Sequence, residues 1–164
     1  MKYNRVVTVD PGCDYMAFAV WSLRGSLICV RWERVVSTTI EDIRAWLHYT
    51  HVVAEGQFIG GKAAAPRALE LARTAGLACG MGASYEFVAP RVWKGNVAKS
   101  VTNRRVQRDM SPVESYIVSE WAIESGNAKK DGTLRLGAKT ARAADVLAAV
   151  GIGHWYFKRR SRRG

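Results

Sequence analysis

Apolar positions come in short dense blocks near the start of the chain and in spaced sets further along. Residues 5–11 (Arg-Val-Val-Thr-Val-Asp-Pro) are crowded with β-branched side chains and stop at Pro11-Gly12, which predicts a strand ending in a turn. Residues 15–23 and 26–36 read as two more strands. Arg24-Gly25 between them marks a hairpin, so the first three strands should form an antiparallel meander. Ile40, Ile43, Trp46 and Leu47 then recur at helical spacing within 40–49. Residues 51–55 (His-Val-Val-Ala-Glu) follow as a short buried strand. Residues 63–78 read as an alanine- and leucine-rich helix, with Pro66 confined to its first turn, Leu69, Ala72 and Ala75 near one face and Gly76 near its end. Residues 84–89 form a fifth strand, stopped by Pro90.

Beyond that point the pattern changes. From Arg91 to Met110 the chain is basic with little apolar periodicity. Ser111-Pro112-Val113-Glu114 has the form of a capping box with proline at the first helical position, and opens a helix to about Ile123. A polar loop spans Gly126 to Gly137. A last helix runs from about Lys139 to Tyr156, and the basic run Lys158-Arg159-Arg160-Ser161-Arg162-Arg163 follows. Three strands, a helix, a strand, a helix, a strand and further helices suit a mixed sheet with helices on its faces, an α/β domain over 1–157 with a disordered basic tail at 158–164.

Composition narrows this. The length of 164 residues suits one domain, and 48% apolar content suits a packed core. No apolar run approaches the ~20 residues of a membrane span, and the first residues lack the pattern of a signal peptide. Cys13, Cys29 and Cys79 are scattered, with no CxxC spacing, which argues against a disulfide framework or a zinc site and for reduced thiols in the cytoplasm. His48, His51 and His154 have no metal-ligand spacing either. Twenty-five Lys and Arg against fourteen Asp and Glu give a net charge of +11, a field that attracts polyanions, of which nucleic acid is the commonest inside cells.

Three acids stand where an acid is locally unexpected. Asp10 ends Val6-Val7-Thr8-Val9, Glu55 ends Val52-Val53-Ala54, and Asp145 sits in Ala143-Ala144-Asp145-Val146-Leu147. Taken singly, each reads as an edge residue or a cap partner. Together they can form a carboxylate cluster, which repels itself until hard cations such as Mg²⁺ or Mn²⁺ neutralise it. Two such ions ~3.5–4 Å apart stabilise the attacking and leaving oxygens of a phosphoryl displacement.

From end to end these residues resemble the RuvC family of Holliday junction resolvases. Val7-Thr8-Val9-Asp10-Pro11-Gly12 is similar to the family's opening strand with its catalytic Asp. Glu55-Gly56-Gln57-Phe58 is similar to its second acid followed by an aromatic wedge, and Ala89-Pro90-Arg91-Val92-Trp93-Lys94 to the segment carrying a catalytic lysine. Asn103 to Met110 resembles a basic DNA-contacting helix, and Ala143 to Ala148 the last helix with its metal-binding Asp. The resemblance implies a ribonuclease H-like fold with a mixed five-stranded sheet flanked by helices. It implies a Mg²⁺-dependent endonuclease acting on four-way and related branched DNA as a homodimer, with the helix at 63–78 as the dimer contact. Asp10, Glu55 and Asp145 would hold metal and Lys94 would assist. Phe58 would open the junction, with Gly60-Gly61 as its hinge. Arg91, Lys94, Lys99, Arg104, Arg105 and Arg108 would meet DNA.

One position departs. Where the family has an acid or histidine three residues before its last Asp, this chain has Arg142. Either the second metal has fewer protein ligands, or another acid such as Asp131 takes the place, or cleavage is weakened. A non-catalytic binder of branched DNA and a same-fold nuclease for structured RNA are the alternative readings.

Overall fold

The computed structural model describes residues 3–35, 41, 44, 45, 47–56, 65–136 and 141–162. Much of the helix expected over 40–49, with Ile40, Ile43 and Trp46, and the segment carrying Phe58, Gly60 and Gly61 lie outside them.

The five expected strands form one mixed sheet: β1 (Arg5–Pro11), β2 (Tyr15–Ser22), β3 (Leu27–Arg34), β4 (Thr50–Glu55) and β5 (Ser84–Val88), in the spatial order β3-β2-β1-β4-β5. β1 pairs antiparallel with β2 across the turn at Gly12 to Asp14, and β2 with β3 across the short turn at Arg24-Gly25, whereas β1–β4 and β4–β5 pair parallel. Five helices accompany the sheet among the described residues: α1 (Ala65–Met81), the single turn α2 (Pro90–Trp93), α3 (Lys99–Asp109), α4 (Pro112–Glu124) and α5 (Ala141–Ser161). The expected capping box opens α4, with Ser111 accepting from the Glu114 backbone and Glu114 accepting in return. No helix among the described residues is long and apolar enough to cross a membrane.

The strand period of two divides the core. Val7, Val9, Val52 and Ala54 pack on one face with Ala75, Ala78 and Cys79 of α1. Val6, Val53 and Val88 pack on the other with Val146, Leu147, Val150 and Ile152 of α5. The buried stripe of α1 therefore runs through Thr74, Ala75, Ala78 and Cys79, not through the expected Leu69, which is exposed. The helix also continues past Gly76 to Met81. The last helix does not stop near Tyr156: it carries Lys158, Arg159 and Arg160 as helical residues, which corrects the expectation of a disordered tail.

One hydroxyl ties the sheet to α5. Buried Thr8 donates to the Ala149 carbonyl (2.6 Å) and accepts from the Trp21 indole N–H (2.9 Å), joining β1, β2 and α5. Two glycines let α5 come this close. A Cβ on Gly153 would collide with the Trp21 ring, and one on Gly151 would lie 2.7 Å from Trp93 and 2.8 Å from Val106.

Thr8→Val keeps the branched shape but strands the Trp21 N–H without its acceptor, an unsatisfied buried donor costing ~1–3 kcal/mol. Urea unfolding should show that loss. The same change made in a Trp21→Phe background should cost clearly less, because the two residues share one bond.

Candidate active site

Asp10, Glu55 and Asp145 line one pocket of about 450 Å³. Register explains the first two. Val9 lies beside Ala54 in the parallel β1–β4 ladder, so Asp10 and Glu55 follow at adjacent strand ends. Both fall on the α5 side, one alternation beyond Thr8 and Val53. Asp145 comes down from α5, one helical turn before the Ala149 carbonyl that Thr8 holds. Glu55 is almost wholly buried, with 4% of its surface exposed.

What fixes Glu55 is not visible in the sequence around it. β5 pairs with β4, setting Val88 beside Glu55, and Pro90 then starts α2, whose single turn brings Trp93 and Lys94 back over that acid. The Trp93 indole N–H donates to Glu55 Oε2 at 2.7 Å, and Lys94 Nζ lies 3.1 Å from the same oxygen. Lys94 Nζ also stands 5.1 Å from the Trp93 ring centroid. Asn103, buried on α3, lines the pocket as well. A tryptophan next to the candidate lysine was the available signal for Trp93; Asn103 stood only at the start of the segment resembling a basic helix, with no role of its own.

Lys99, expected to meet DNA phosphates, donates to Asp145 Oδ1 at 2.7 Å at the start of α3. Burial draws its pKa down, but the hydrogen bond to Asp145 and the charges of Asp145, Asp10 and Glu55 outweigh that and hold it above the usual 10.5. Asp10 moves further. Burial, then repulsion from Glu55 and from Asp145, lifts its carboxyl well above the ordinary 3.8, against the smaller pull of Lys99 and Lys94.

Arg91, Arg104, Arg105 and Arg108 are exposed on α2 and α3, where Arg108 pairs with Asp109 at 2.8 Å. Phe58 lies outside the described residues. Arg142 lays its guanidinium 4.4 Å from the Trp32 ring centroid, and Trp32 stacks on Tyr15 at 4.0 Å. Arg142 thus braces the start of α5 against β2 and β3 and is not among the residues lining the acid pocket. Asp131 is not either: it accepts from the Thr133 backbone N–H at 3.0 Å in the loop after α4.

The all-carboxylate donor set fits a hard divalent cation in kind. As placed, no three of the described His, Cys, Asp and Glu side chains close into a metal-holding group. Glu55 and Asp145 are balanced by lysines instead, so a cation at Asp145 would compete with the charge of Lys99.

No family model matches the chain, and no curated protein matches its sequence. Among solved structures it is similar to RuvC of Thermus thermophilus, at 17% identity over 95% of this chain and 96% of that one, with a TM-score of 0.51. A second similar structure is RuvC of the same organism in complex with a Holliday junction substrate, at 14% identity over 96% of each chain, with a TM-score of 0.45. The likeness to the first shows a shared RuvC-like fold, and the ribonuclease H-like arrangement of a mixed five-stranded sheet flanked by helices expected from the sequence stands.

A raised carboxylate pKa means that the folded protein holds the Asp10 proton more firmly than the unfolded chain does. Stability from this group is present below its ordinary value and is lost as pH rises through the folded one. With a chelator present, Asp10→Asn should therefore melt higher than the parent at pH 7.5. A gain of ~2–4 °C would correspond to about 1 kcal/mol for a chain of this size. The gap should close as the pH approaches 3.8. An equal or lower melting temperature at pH 7.5 would contradict the strain assigned to Asp10.

Proposed function

We propose that this chain is a Mg²⁺-dependent endonuclease, with Mn²⁺ able to substitute, that resolves Holliday junctions and related branched DNA by paired nicks. The observation supporting it is the meeting of Asp10, Glu55 and Asp145, from two strands and a helix, in one pocket flanked by two lysines on a chain of charge +11. The RuvC-like fold agrees with it.

In this reading Asp10, Glu55 and Asp145 hold the metal, which when bound supplies an activated water and neutralises the phosphate. The chain's own residues do the rest. Trp93 fixes the orientation of Glu55 through its indole N–H. Lys94, already at the pocket, turns toward the scissile phosphate and stabilises its developing negative charge. Lys99, whose side chain is 58% exposed, leaves Asp145 and takes a backbone phosphate. Arg91, Arg104, Arg105 and Arg108 position the arms through phosphate contacts, which carry no sequence information. Phe58 wedges into the branch point.

Paired nicks need two matched sites, and a two-fold dimer supplies them. Leu69 on α1 and the edge-to-face pair Tyr85 and Phe87 on β5 are all more than half exposed, an apolar surface on the α1 side of the sheet suited to a second copy. Leu69→Asp combined with Phe87→Asp should leave the fold intact and shift sedimentation from dimer to monomer.

A second reading, a non-catalytic binder of branched DNA, draws on Arg142 and on the two lysine–carboxylate pairs. One assay separates them: a labelled four-way junction with Mg²⁺, and linear duplex as control. The nuclease reading expects symmetric nicks on the junction alone. Lys94→Ala should slow cutting by ~10²–10³-fold, as loss of one group stabilising transition-state charge does. Asp10→Asn and Asp145→Asn should lose more than the ~10–100-fold typical of residues that only support a metal ligand, while binding the junction as the parent does. Tight junction binding by the parent without nicks at any metal concentration would establish the binder instead.

A further inference from the structure

A second cavity, also of about 450 Å³, opens beside the acid pocket between α2, α3 and the C-terminal half of α5. The two share Trp93, Lys94 and Thr102 in their walls, so they are neighbouring parts of one surface. Four cations line the second cavity, Arg105, Lys158, Arg162 and Lys94, the last paired with Glu55, against one carboxylate, Asp109, which is paired with Arg108. Trp155 lines it too. Lys158 reaches the cavity because α5 continues past the point where the sequence pattern ends it, which sets Trp155 and Lys158 at i and i+3 on one helical face, and Arg162 lines the cavity just beyond the helix end. Arg159 lies 4.9 Å from the Trp155 ring centroid and is anchored to Glu86 at 3.2 Å, which fixes that ring from one side.

From this geometry we infer that the cavity is a binding cleft for single-stranded DNA, receiving an unpaired arm of a branched substrate as it leaves the acid pocket. Its volume lies within the ~300–1,000 Å³ of sites that enclose a small group, such as one nucleotide. A paired duplex presents its phosphates on a broad convex surface and keeps its bases stacked inside, so it cannot lower a base into such a space. A single strand can. A positively charged groove combined with an indole is how proteins hold single strands without reading sequence, with stacking worth ~1–3 kcal/mol per base. The cleft thus gives the proposed nuclease a preference for forks and flaps with an unpaired arm. That preference rests on the reading of the acid pocket; the cleft itself does not.

Binding measured without divalent metal keeps the two apart. Fluorescein-labelled dT12 and a fully paired four-way junction are titrated in EDTA at fixed salt and followed by anisotropy. The protein should bind dT12. Lys158→Glu with Arg162→Glu, both exposed positions, should weaken dT12 binding at least tenfold and junction binding less than threefold. Lys129→Glu with Lys130→Glu, exposed in the loop after α4, changes net charge equally and should leave dT12 within threefold of the parent. Trp155→Ala should weaken dT12 binding without changing its salt dependence, since it removes stacking and no charge. Equal losses on both ligands, equal losses in the control pair, or no loss at all would overturn the cleft. Failure to cut junctions with Mg²⁺ would leave it standing.

Discussion

Two carboxylates at the ends of neighbouring parallel strands, on the same face of one sheet, repel each other, and the surroundings of the pocket answer that repulsion. The β1–β4 register makes Asp10 and Glu55 neighbours, and no side-chain rotation can undo it. α5 then brings a third acid, Asp145, while the Thr8 bond to Ala149 and the two glycine contacts hold the helix against the sheet. Each answering group comes from the segment between β5 and the first turn of α3. Trp93 and Lys94 settle Glu55, and Lys99 settles Asp145. Burial and the charges of Glu55 and Asp145 raise Asp10 well above the ordinary carboxylate range, against the pull of Lys99 and Lys94. Such an arrangement holds electrostatic repulsion in reserve, which the proposed divalent cation would relieve.

Much of this was legible in the chain because strands and acids announce themselves locally. Val6-Val7-Thr8-Val9 can hardly be anything but a buried strand, and an acid that ends such a run invites a functional reading. The same holds for Glu55. What stayed hidden depended on partners that no short window contains. Periodicity did not show α3, which only the family resemblance marked as a helix over 103–110, because its buried face is only Thr102, Asn103 and Val106, two of them polar. The buried stripe of α1 was misplaced because Leu69, its most apolar early residue, faces outward and smaller Thr74, Ala75 and Ala78 face the sheet. The end of α5 was misjudged because a run of cations looks like a solvated tail, although arginine and lysine favour helix and suit its C-terminal dipole.

The departure at Arg142 also takes on a physical meaning. A cation three residues before Asp145 could have been a further partner for the acids. Instead its guanidinium lies on Trp32, which is itself stacked on Tyr15, so its charge serves packing between α5 and the sheet. Asp131, the other candidate for a fourth acid, is held by Thr133 in its own loop. Among the described residues, the acids lining the pocket are therefore Asp10, Glu55 and Asp145. A second cation there would have to share these oxygens or rely on water and substrate phosphate.

The helix that carries Asp145 also carries Lys158, thirteen residues on and so ~20 Å along a rise of 1.5 Å per residue. Between them lie Ala149, locked to Thr8, and Gly151 and Gly153, pressed against Trp93 and Trp21. A rigid rod pinned at its middle fixes the distance between the acid pocket at one end and the basic cleft at the other. A strand held in the cleft is thereby measured from the acids, by a length that the helix sets and that no loop can relax. Were the acids to hold a scissile phosphate and the cleft an unpaired strand, the helix would set the distance between the two, and a branch with an unpaired arm would gain a contact that a fully paired arm cannot make.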